Sequence, residues 1–310
     1  MLWVLGALLP GLAALLWTYG AGYLSNLAWA VGCAVAVEAA CLAWRAKPLQ
    51  QLSDGSALVT AVLLALAFPP ALNPGVMAVA VVCALGLGKH LFGGLGHNVF
   101  NPAIVGYAVV LVSFPAALAG WPELAQSVDG VPSVDGVPSV DGVPSIDGVT
   151  AATALDAMRY RDGLTVTEVW RAPTFGTVGG AHWEWINVAF LVGGLVLCIR
   201  GVAAWRVPAG LLATMGMLAL VTYAAGGSTS TGGVLFHWFS GATMLGAFFF
   251  ATDPVTHPAS TRGQWLFGAT IGAMAFAVRA YGNYPDGIAF GILLANALTP
   301  LLDRREVANA

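Results

Sequence analysis

Charged residues are scarce in this chain, and their scarcity excludes the usual soluble folds. Asp, Glu, Lys and Arg together make up 9% of the 310 residues, whereas soluble domains carry about 25%. Hydrophobic residues make up 58% of the sequence. This composition predicts an integral membrane protein in contact with the lipid bilayer. The net charge of −3 gives no indication of a nucleic-acid partner, and none is expected.

Cysteine is also rare, and its spacing excludes two kinds of site. No two cysteines have the CxxC spacing, so we expect neither a disulfide framework nor an iron–sulfur centre. We interpret them as small buried hydrophobic residues and expect no metal site. The four lie singly in apolar segments, at Cys33, Cys41, Cys83 and Cys198.

Ten hydrophobic runs are long enough to cross, or nearly cross, a bilayer. The first run lacks the basic start of a secretory signal, so we interpret it as a retained helix. Several runs are short or interrupted by Gly and Pro. We therefore predict an all-α polytopic membrane protein of about ten transmembrane helices. They are placed near residues 3–19, 23–43, 56–69, 75–92, 102–119, 185–200, 207–225, 233–251, 264–280 and 286–302.

The basic residues predict the orientation of these helices. If ten spans are correct, eight basic residues fall on one side, and only Arg279 lies in a short loop on the other. Since short cytoplasmic loops are enriched in Lys and Arg, both termini are predicted to be cytoplasmic. The chain then divides into a membrane half (1–119), an external loop (120–184) and a second membrane half (185–310). The eight residues are Arg45, Lys47, Lys89, Arg200, Arg206, Arg262, Arg304 and Arg305.

The external loop contains a short repeat. The first three units continue with Pro-Ser, and proline removes a backbone donor, so we interpret the array as an extended spacer rather than a small β-solenoid. Only the last unit continues into Thr-Ala-Ala-Thr, which ends at Thr153. Its small residues leave the Thr153 hydroxyl open to a modifying enzyme, although an ordinary Gly/Ala loop has the same composition. The Asp-Gly-Val units begin at Asp129, Asp135, Asp141 and Asp147.

A second repeat relates the two membrane halves. Residues 56–70 align without gaps with residues 240–254, and each segment closes with proline. Because each half has five spans, an odd number, the second half must be inverted relative to the first. Inverted repeats with Gly- and Pro-interrupted spans place a binding site near the membrane midplane. The alternative is a chance similarity between two Gly/Pro-rich stretches.

Four sequence blocks together resemble one family. The blocks are Lys89–Ala103, Asp147–Thr153, Phe249–Thr256 and Tyr284–Asn296. They are similar to the D subunit of the Rnf electron-transport complex, a relative of the B subunit of the sodium-pumping NADH:quinone reductase. The resemblance covers about residues 50–305. The sequence departs from the family in two places: the hexapeptide array is unusual, and the acceptor tail Ser-Gly-Ala-Thr-Pro-Leu here reads Thr-Ala-Ala-Thr-Ala-Leu, with Ala154 in place of the proline.

The resemblance implies a flavin-carrying subunit of an ion-translocating ferredoxin:NAD⁺ oxidoreductase in the bacterial inner membrane. Such complexes couple electron transfer to Na⁺ or H⁺ movement, and a single subunit is expected to be inactive alone. A separate flavin transferase would attach FMN to Thr153 as a phosphoester, with Asp147, Gly148 and Thr150 completing the motif. The resemblance also implies riboflavin held non-covalently in the membrane part. The inverted plan of five plus five spans, predicted from the repeat, resembles that of urea transporters.

Several polar residues in the membrane part are further candidates. Glycines before Asn98 and Asn101 would admit a flat ring, and the two amides could bond the polar edge of the non-covalent flavin. Alternatively, these amides bind the freed backbone of a broken helix. Glu38 inside the second span, and Asp253 and Asp286 at span ends, are candidates for an ion path. An acidic residue inside the membrane costs free energy, so its presence there indicates a function. No catalytic residue is predicted.

Three other functions fit the same sequence. One is a subunit of a sodium-pumping NADH:quinone reductase, and another is a urea-transporter-like channel for a small polar solute, because a fold does not fix a function. The third is a membrane scaffold with an exposed tether. A fluorescent covalent flavin on the denatured protein would exclude both the channel and the scaffold.

Overall fold

The chain is mostly helical in the part whose structure is described. In that part of the chain the only strand-like pairing is a single bridge between Phe175 and Gly180, so the all-α prediction is confirmed. Asp147, Gly148, Thr150 and the hexapeptide array lie outside the described residues. The computed structural model describes residues 1–121, 153–161, 163–284 and 286–307, the last four by their backbone alone.

Fourteen helices occur in the described stretches. Two of them, α4 and α12, continue directly into a π-helical turn, at Ala84–His90 and Gly246–Phe250 respectively. The first eight are α1 (Leu2–Tyr19), α2 (Gly22–Trp44), α3 (Ser56–Ala67), α4 (Pro74–Cys83), α5 (Pro102–Ser113), α6 (Pro115–Ala119), α7 (Ala154–Arg159) and α8 (Val166–Val169). The others are α9 (Trp183–Ile199), α10 (Arg206–Val221), α11 (Val234–Phe239), α12 (Thr243–Leu245), α13 (Thr261–Tyr281) and α14 (Ile288–Val307).

Helical segments lie over all ten predicted spans, with bounds that differ by a few residues. In the described stretches, α1 and α2 are long and apolar enough to cross a membrane, and six shorter apolar helices have 10–17 residues. The predicted fifth span divides into α5 and α6 at Phe114, because Pro115 removes a backbone donor. The predicted eighth span divides into α11 and α12 around Gly241. The number of membrane crossings and the inverted arrangement remain predictions.

Side-chain caps explain where three helices begin. The Asn73 side-chain oxygen accepts a hydrogen bond from the backbone at the start of α4, at 2.8 Å. Asn101 does the same at α5, at 3.2 Å, and Ser260 does so at α13, at 2.9 Å. Each cap satisfies a backbone N–H group that has no partner inside the helix. Pro74 and Pro102 in the first turns of α4 and α5 need no such partner.

In each half, a buried asparagine binds the backbone where a membrane helix is interrupted. Asn26 donates to the Pro69 carbonyl at 2.8 Å and accepts from the Leu72 N–H at 2.9 Å. Asn187 donates to the Gly241 carbonyl at 2.9 Å and also accepts a backbone N–H of α12. Unpaired backbone groups are costly in an apolar interior. These two side chains therefore stabilise the interrupted helices.

Glycines allow two pairs of helices to pack very closely. A β-carbon at Gly268 of α13 would collide with the Val207 carbonyl oxygen of α10, and one at Gly193 of α9 would collide with the Ala7 carbonyl oxygen of α1. Small residues at such crossings let the helix backbones approach each other. The contacts of α1 with α9 and of α10 with α13 thus depend on the absence of side chains.

We expect Gly268→Leu to lower the free energy of unfolding by about 1–3 kcal/mol or more, because a side chain must be forced into a packed crossing. Gly6→Leu is the matched control, since nothing lies within 4 Å of a β-carbon at Gly6. Thermal unfolding of the purified proteins in detergent measures the difference. Equal stability of the two variants would show that α10 and α13 do not pack this closely.

Candidate functional site: an acceptor threonine and two cavities

Thr153 is the N-cap residue of the short helix α7. Its hydroxyl donates to Asp156 Oδ2 at 2.6 Å, and the Asp156 N–H donates back to the Thr153 hydroxyl oxygen at 3.3 Å. The Thr153 backbone N–H also donates to Asp156 Oδ2, at 3.4 Å, which completes a capping box. The half-buried hydroxyl is therefore held in one orientation, with a carboxylate in contact with its proton.

Asp156 is a site residue that the sequence analysis missed. Thr-x-x-Asp is a capping-box pattern and could have indicated the contact. The same box recurs at α8, where Thr165 is bonded to Glu168 through both its hydroxyl and its backbone N–H, each at 2.7 Å. These hydrogen bonds, with the backbone one dominant, hold the pKa of Glu168 below its usual value. The second box has the same geometry without the acceptor motif, which makes it a natural control.

Thr153 borders a small cavity, here called the Thr153 cavity, with an aromatic wall. The rings of Trp121 and Trp183 meet edge to face with their centroids 5.0 Å apart, and Tyr19 packs beside both. The cavity volume is about 70 Å³. A cavity of about 150 Å³ is known to take benzene, so a flavin ring would have to lie at the mouth or displace side chains. Other lining residues are Tyr107, Leu155, Asn187, Gly241 and Asp286.

A larger cavity, here called the Asn101 cavity, lies at the other end of α3. Its volume is about 220 Å³. The start of α3 borders this cavity, and Leu66, near the end of α3, borders the Thr153 cavity. Phe248 and Phe249 also line the Asn101 cavity. Apolar walls with a few polar groups are typical of cofactor and ligand sites. The polar lining residues are Ser56, Thr60, Lys89, Asn98, Asn101, Thr252 and Asp253.

The two candidate asparagines differ in how much of their hydrogen-bonding capacity is used. Asn101 caps α5 through its side-chain oxygen and donates to the Phe250 carbonyl at 3.0 Å, so its amide binds a broken helix as the alternative interpretation proposed. Asn98 donates to the Phe100 carbonyl at 3.2 Å, and its side-chain oxygen has no hydrogen bond within the described stretches. Both side chains border the cavity, and their contact with a flavin remains a prediction.

Glu38 belongs to a buried ion cluster. Lys89 Nζ donates to Glu38 Oε1 at 2.6 Å and to Ser56 Oγ at 2.7 Å. His90 Nε2 lies 3.0 Å from the second Glu38 oxygen. Only 1% of Glu38 and 3% of Lys89 are exposed. The sequence analysis used Lys89 only as a marker of orientation and missed this partnership, which a basic residue near the end of an apolar run could have indicated.

Asp286 has a cationic partner too, whereas Asp253 is bound only by neutral groups. Arg279 holds Asp286 through two hydrogen bonds of 3.0 and 2.8 Å, and Arg279 is 5% exposed. Asp253 accepts from the Val255 N–H at 3.2 Å and from the Thr256 hydroxyl at 3.4 Å. Among the three ion-path candidates, Asp253 alone has no ion pair within the described stretches, and it borders the Asn101 cavity.

These features are those of an all-helical membrane protein with polar cavities between interrupted helices. A model of the NQR2, RnfD, RnfE family matches residues 1–309, and the chain belongs to that family. The resemblance to this family is therefore confirmed.

Curated relatives extend over nearly the whole chain. The protein from Pseudomonas paraeruginosa (strain DSM 24068 / PA7) is 49% identical over 302 residues, covering 97% of this chain and 87% of the relative. A protein from Vibrio cholerae serotype O1 (strain M66-2) is 41% identical over 319 residues, covering 98% of this chain and 91% of the relative. Each relative bears the name of the D subunit of an ion-translocating oxidoreductase complex.

Proposed function

We propose that this chain is the flavin-carrying membrane subunit of an ion-translocating electron-transport complex in the bacterial inner membrane. With the other subunits it would relay electrons between ferredoxin and NAD and couple this transfer to Na⁺ or H⁺ movement. The names of the relatives support the membership of a complex. The observation that carries the flavin role is the Thr153 hydroxyl, held on a carboxylate at the edge of an aromatic cavity.

Thr153 is the proposed attachment point of FMN, which supplies chemistry that accepts one or two electrons. Asp156 Oδ2 is in position to take the hydroxyl proton as Thr153 Oγ1 attacks the FMN-side phosphorus of a flavin dinucleotide. The phosphoanhydride bond of that donor breaks and a nucleoside monophosphate leaves, in a reaction carried out by a separate flavin transferase. Once that proton is gone, the Thr153 N–H still binds Asp156, so part of the α7 cap would survive. Trp121 and Trp183 offer flat apolar surfaces on which Thr153 could present a ring.

The most direct test is fluorescence of the denatured protein, expressed with its transferase and separated in a denaturing gel. A covalently attached flavin stays with the polypeptide and makes the band fluorescent, whereas a plain channel or scaffold gives a dark band. A dark band from protein that had been co-expressed with an active transferase would reject the flavin role.

The Asn101 cavity is the proposed site of the non-covalent riboflavin. Its volume of about 220 Å³ exceeds the ~150 Å³ that holds a benzene ring, so it has room for part of the three-ring isoalloxazine and the rest would have to displace side chains. An isoalloxazine edge needs both donors and acceptors. Asn98 has an available oxygen, and Lys89 uses two of its three N–H donors on Glu38 and Ser56. The phenyl rings of Phe248 and Phe249 supply apolar surface in the same cavity.

We expect Asn98→Leu to weaken non-covalent flavin binding by about 1–3 kcal/mol, because a polar group of the ligand loses its partner. Covalent flavin on Thr153 should be unchanged. Asn98 is a sharper choice than Asn101, whose replacement would also remove a helix cap. Asn73→Leu is the control, since Asn73 caps α4 away from the cavity. Flavin is measured by acid extraction, and full retention of extractable flavin by Asn98→Leu would reject this site.

We also propose that the two membrane halves are inverted repeats arranged as in urea transporters. Corresponding contacts support this arrangement: α2 packs on α4 and α10 packs on α13. In each half a buried cation near the end of the fourth span, α4 or α13, binds a serine of the third span. That serine begins α3 in the first half and precedes α12 in the second. Lys89 binds Ser56, and Arg279 binds the Ser240 carbonyl.

Reporter fusions at the C-terminus and within the hexapeptide array should report opposite sides of the membrane, with the termini cytoplasmic.

The family description also covers NQR2, so a subunit of a sodium-pumping NADH:quinone reductase is the alternative assignment. For an ion path we propose Asp253 as the first residue to test, since its carboxylate borders the Asn101 cavity without a cationic partner in the described stretches. Glu38 and Asp286 remain candidates, but each would have to release a cation before it could bind another one.

A further inference from the structure

A third cavity belongs to neither proposed flavin site. It has a volume of about 230 Å³ and lies between α7, the 228–231 loop, α11 and the end of α13. Leu155 borders both this cavity and the Thr153 cavity, so the two lie at the same end of the helices. Three arginines, Arg159, Arg161 and Arg279, line it, and we call it the arginine cavity.

Two of the three arginine charges are not neutralised by any carboxylate in the described stretches. Arg279 is paired with Asp286. Arg159 donates to the Tyr284 carbonyl at 3.3 Å and to the Asn283 side-chain oxygen at 3.2 Å. Arg161 donates only to backbone carbonyls. Two positive charges at one cavity with no lining carboxylate form an electrostatic trap for an anion. The carbonyls bound by Arg161 are those of Met158, Leu164, Ser228 and Ser230.

Enough hydrogen-bond donors remain to hold an oxyanion. A guanidinium carries five N–H donors, and within the described residues the contacts above leave Arg159 with most of its donors unused. The hydroxyls of Ser228 and Thr229, on the loop that forms the cavity wall, are exposed and make no hydrogen bond within the described stretches. Arginine forks and hydroxyls are the groups that proteins use to bind phosphate oxygens.

His237 adds a hydrogen-bond acceptor, which an anion without a hydrogen-bond donor could not satisfy. It is 2% exposed, and its Nε2 donates to the Thr231 carbonyl at 3.0 Å. Because Nε2 carries the proton, Nδ1 of the neutral ring is an acceptor. Nδ1 is buried and has no hydrogen-bond partner in the described part of the chain. A ligand that satisfied it would have to offer a hydrogen-bond donor, and a hydroxyl is such a donor.

We propose that the arginine cavity binds a phosphate ester that also carries a free hydroxyl, as a glycerol phosphate group does. Arg159 and Arg161 hold the phosphate oxygens together with the Ser228–Thr231 loop, and His237 Nδ1 accepts from the ligand hydroxyl. Such a group reaches the cavity either as the headgroup of an anionic phospholipid or as a small soluble ester. The exposed Tyr281 ring at the rim is of the type that lies at membrane surfaces.

Binding is measured on the purified full-length protein with two sets of probes. The first set is glycerol 3-phosphate compared with methyl phosphate, which lacks the hydroxyl, both followed by titration calorimetry. The second is phosphatidylglycerol compared with phosphatidylcholine, with bound lipid counted by native mass spectrometry after reconstitution in nanodiscs. Binding of phosphatidylglycerol alone identifies a lipid site, and binding of glycerol 3-phosphate identifies a site for a soluble ester. In the latter case methyl phosphate should bind more weakly.

Arg159→Gln should weaken binding of the effective probe about tenfold, the value of one lost charge-assisted hydrogen bond. Arg171→Gln is the control, because it removes the same charge from an exposed residue that does not line the cavity. Asp162 lies next to Arg161 and outside the described residues, so Asp162→Asn should leave binding unchanged or strengthen it. Equal losses in Arg159→Gln and Arg171→Gln, or no binding of any probe by the wild-type protein, would overturn the proposal.

Discussion

Thr153→Ala protein, expressed with the flavin transferase, is expected to contain no covalent flavin. The substitution removes the hydroxyl that would form the phosphoester, and the other hydroxyl of the motif, on Thr150, does not occupy the acceptor position. Thr153→Ser keeps the hydroxyl and the cap, so it should retain flavin. Peptide mass spectrometry of the fragment that contains Thr153 gives the stoichiometry directly. Flavin found on Ser133, Ser139 or Ser145 of the array would refute the assignment.

Two further variants separate the chemistry of Thr153 from its role as a helix cap. Thr165→Ala breaks the equivalent box at α8 and should leave the covalent flavin intact. Asp156→Asn keeps an oxygen that can accept from the Thr153 hydroxyl but removes the negative charge that could take its proton. Flavin transfer to Asp156→Asn should therefore be slower at neutral pH. If Asp156→Asn is flavinylated at the wild-type rate, Asp156 only caps α7.

The sequence supported predictions of features that depend only on neighbouring residues, such as apolar runs and short motifs. Apolar runs predicted the positions of the helices, because burial in lipid needs a continuous apolar segment. The acceptor motif predicts Thr153 as the attachment point without reference to tertiary structure, and that assignment stays a prediction. Pro115 could have shown that the predicted fifth span is divided. The hydrophobic residues on both sides of Phe114 gave one continuous apolar run instead, so the division was not predicted. Proline removes a helix hydrogen bond whatever the hydropathy of its neighbours.

What could not be predicted depends on contacts between distant parts of the chain. Lys89 and Glu38 are 51 residues apart, and Asn101 meets Phe250 across 149 residues. Nothing in either local sequence specifies the partner. Gly241 has a positive φ of 59°, and its neighbourhood, crowded by Asp286 and Arg279, explains why the predicted eighth span divides there. Such a break follows from packing that no hydropathy pattern records.

Lys89→Met is expected to destabilise the protein more than any other single substitution proposed for it. It would leave the Glu38 carboxylate in an interior where Glu38 is only 1% exposed, with His90 as its remaining partner. Removing one member of a buried ion pair typically costs about 3–5 kcal/mol, because the other charge is left uncompensated. Lys47→Met, at the exposed lysine, controls for loss of a positive charge. Thermal unfolding in detergent reports the loss, and equal melting of both variants would contradict a buried pair.

The double variant Glu38→Gln with Lys89→Met decides whether Glu38 has a role beyond this pair. It removes both charges, and neutral replacements of a buried pair are often tolerated, so most of the lost stability should return. Because Lys89 also borders the proposed riboflavin site, ion movement is compared only in double-variant protein that keeps its extractable flavin. A purely structural pair then predicts normal ion movement in the assembled complex. If Glu38 lies on the ion path, the double variant will be stable and fully flavinylated but unable to move ions. Stable protein with normal ion movement would remove Glu38 from the path and leave Asp253, bound only by neutral groups, as the candidate to pursue.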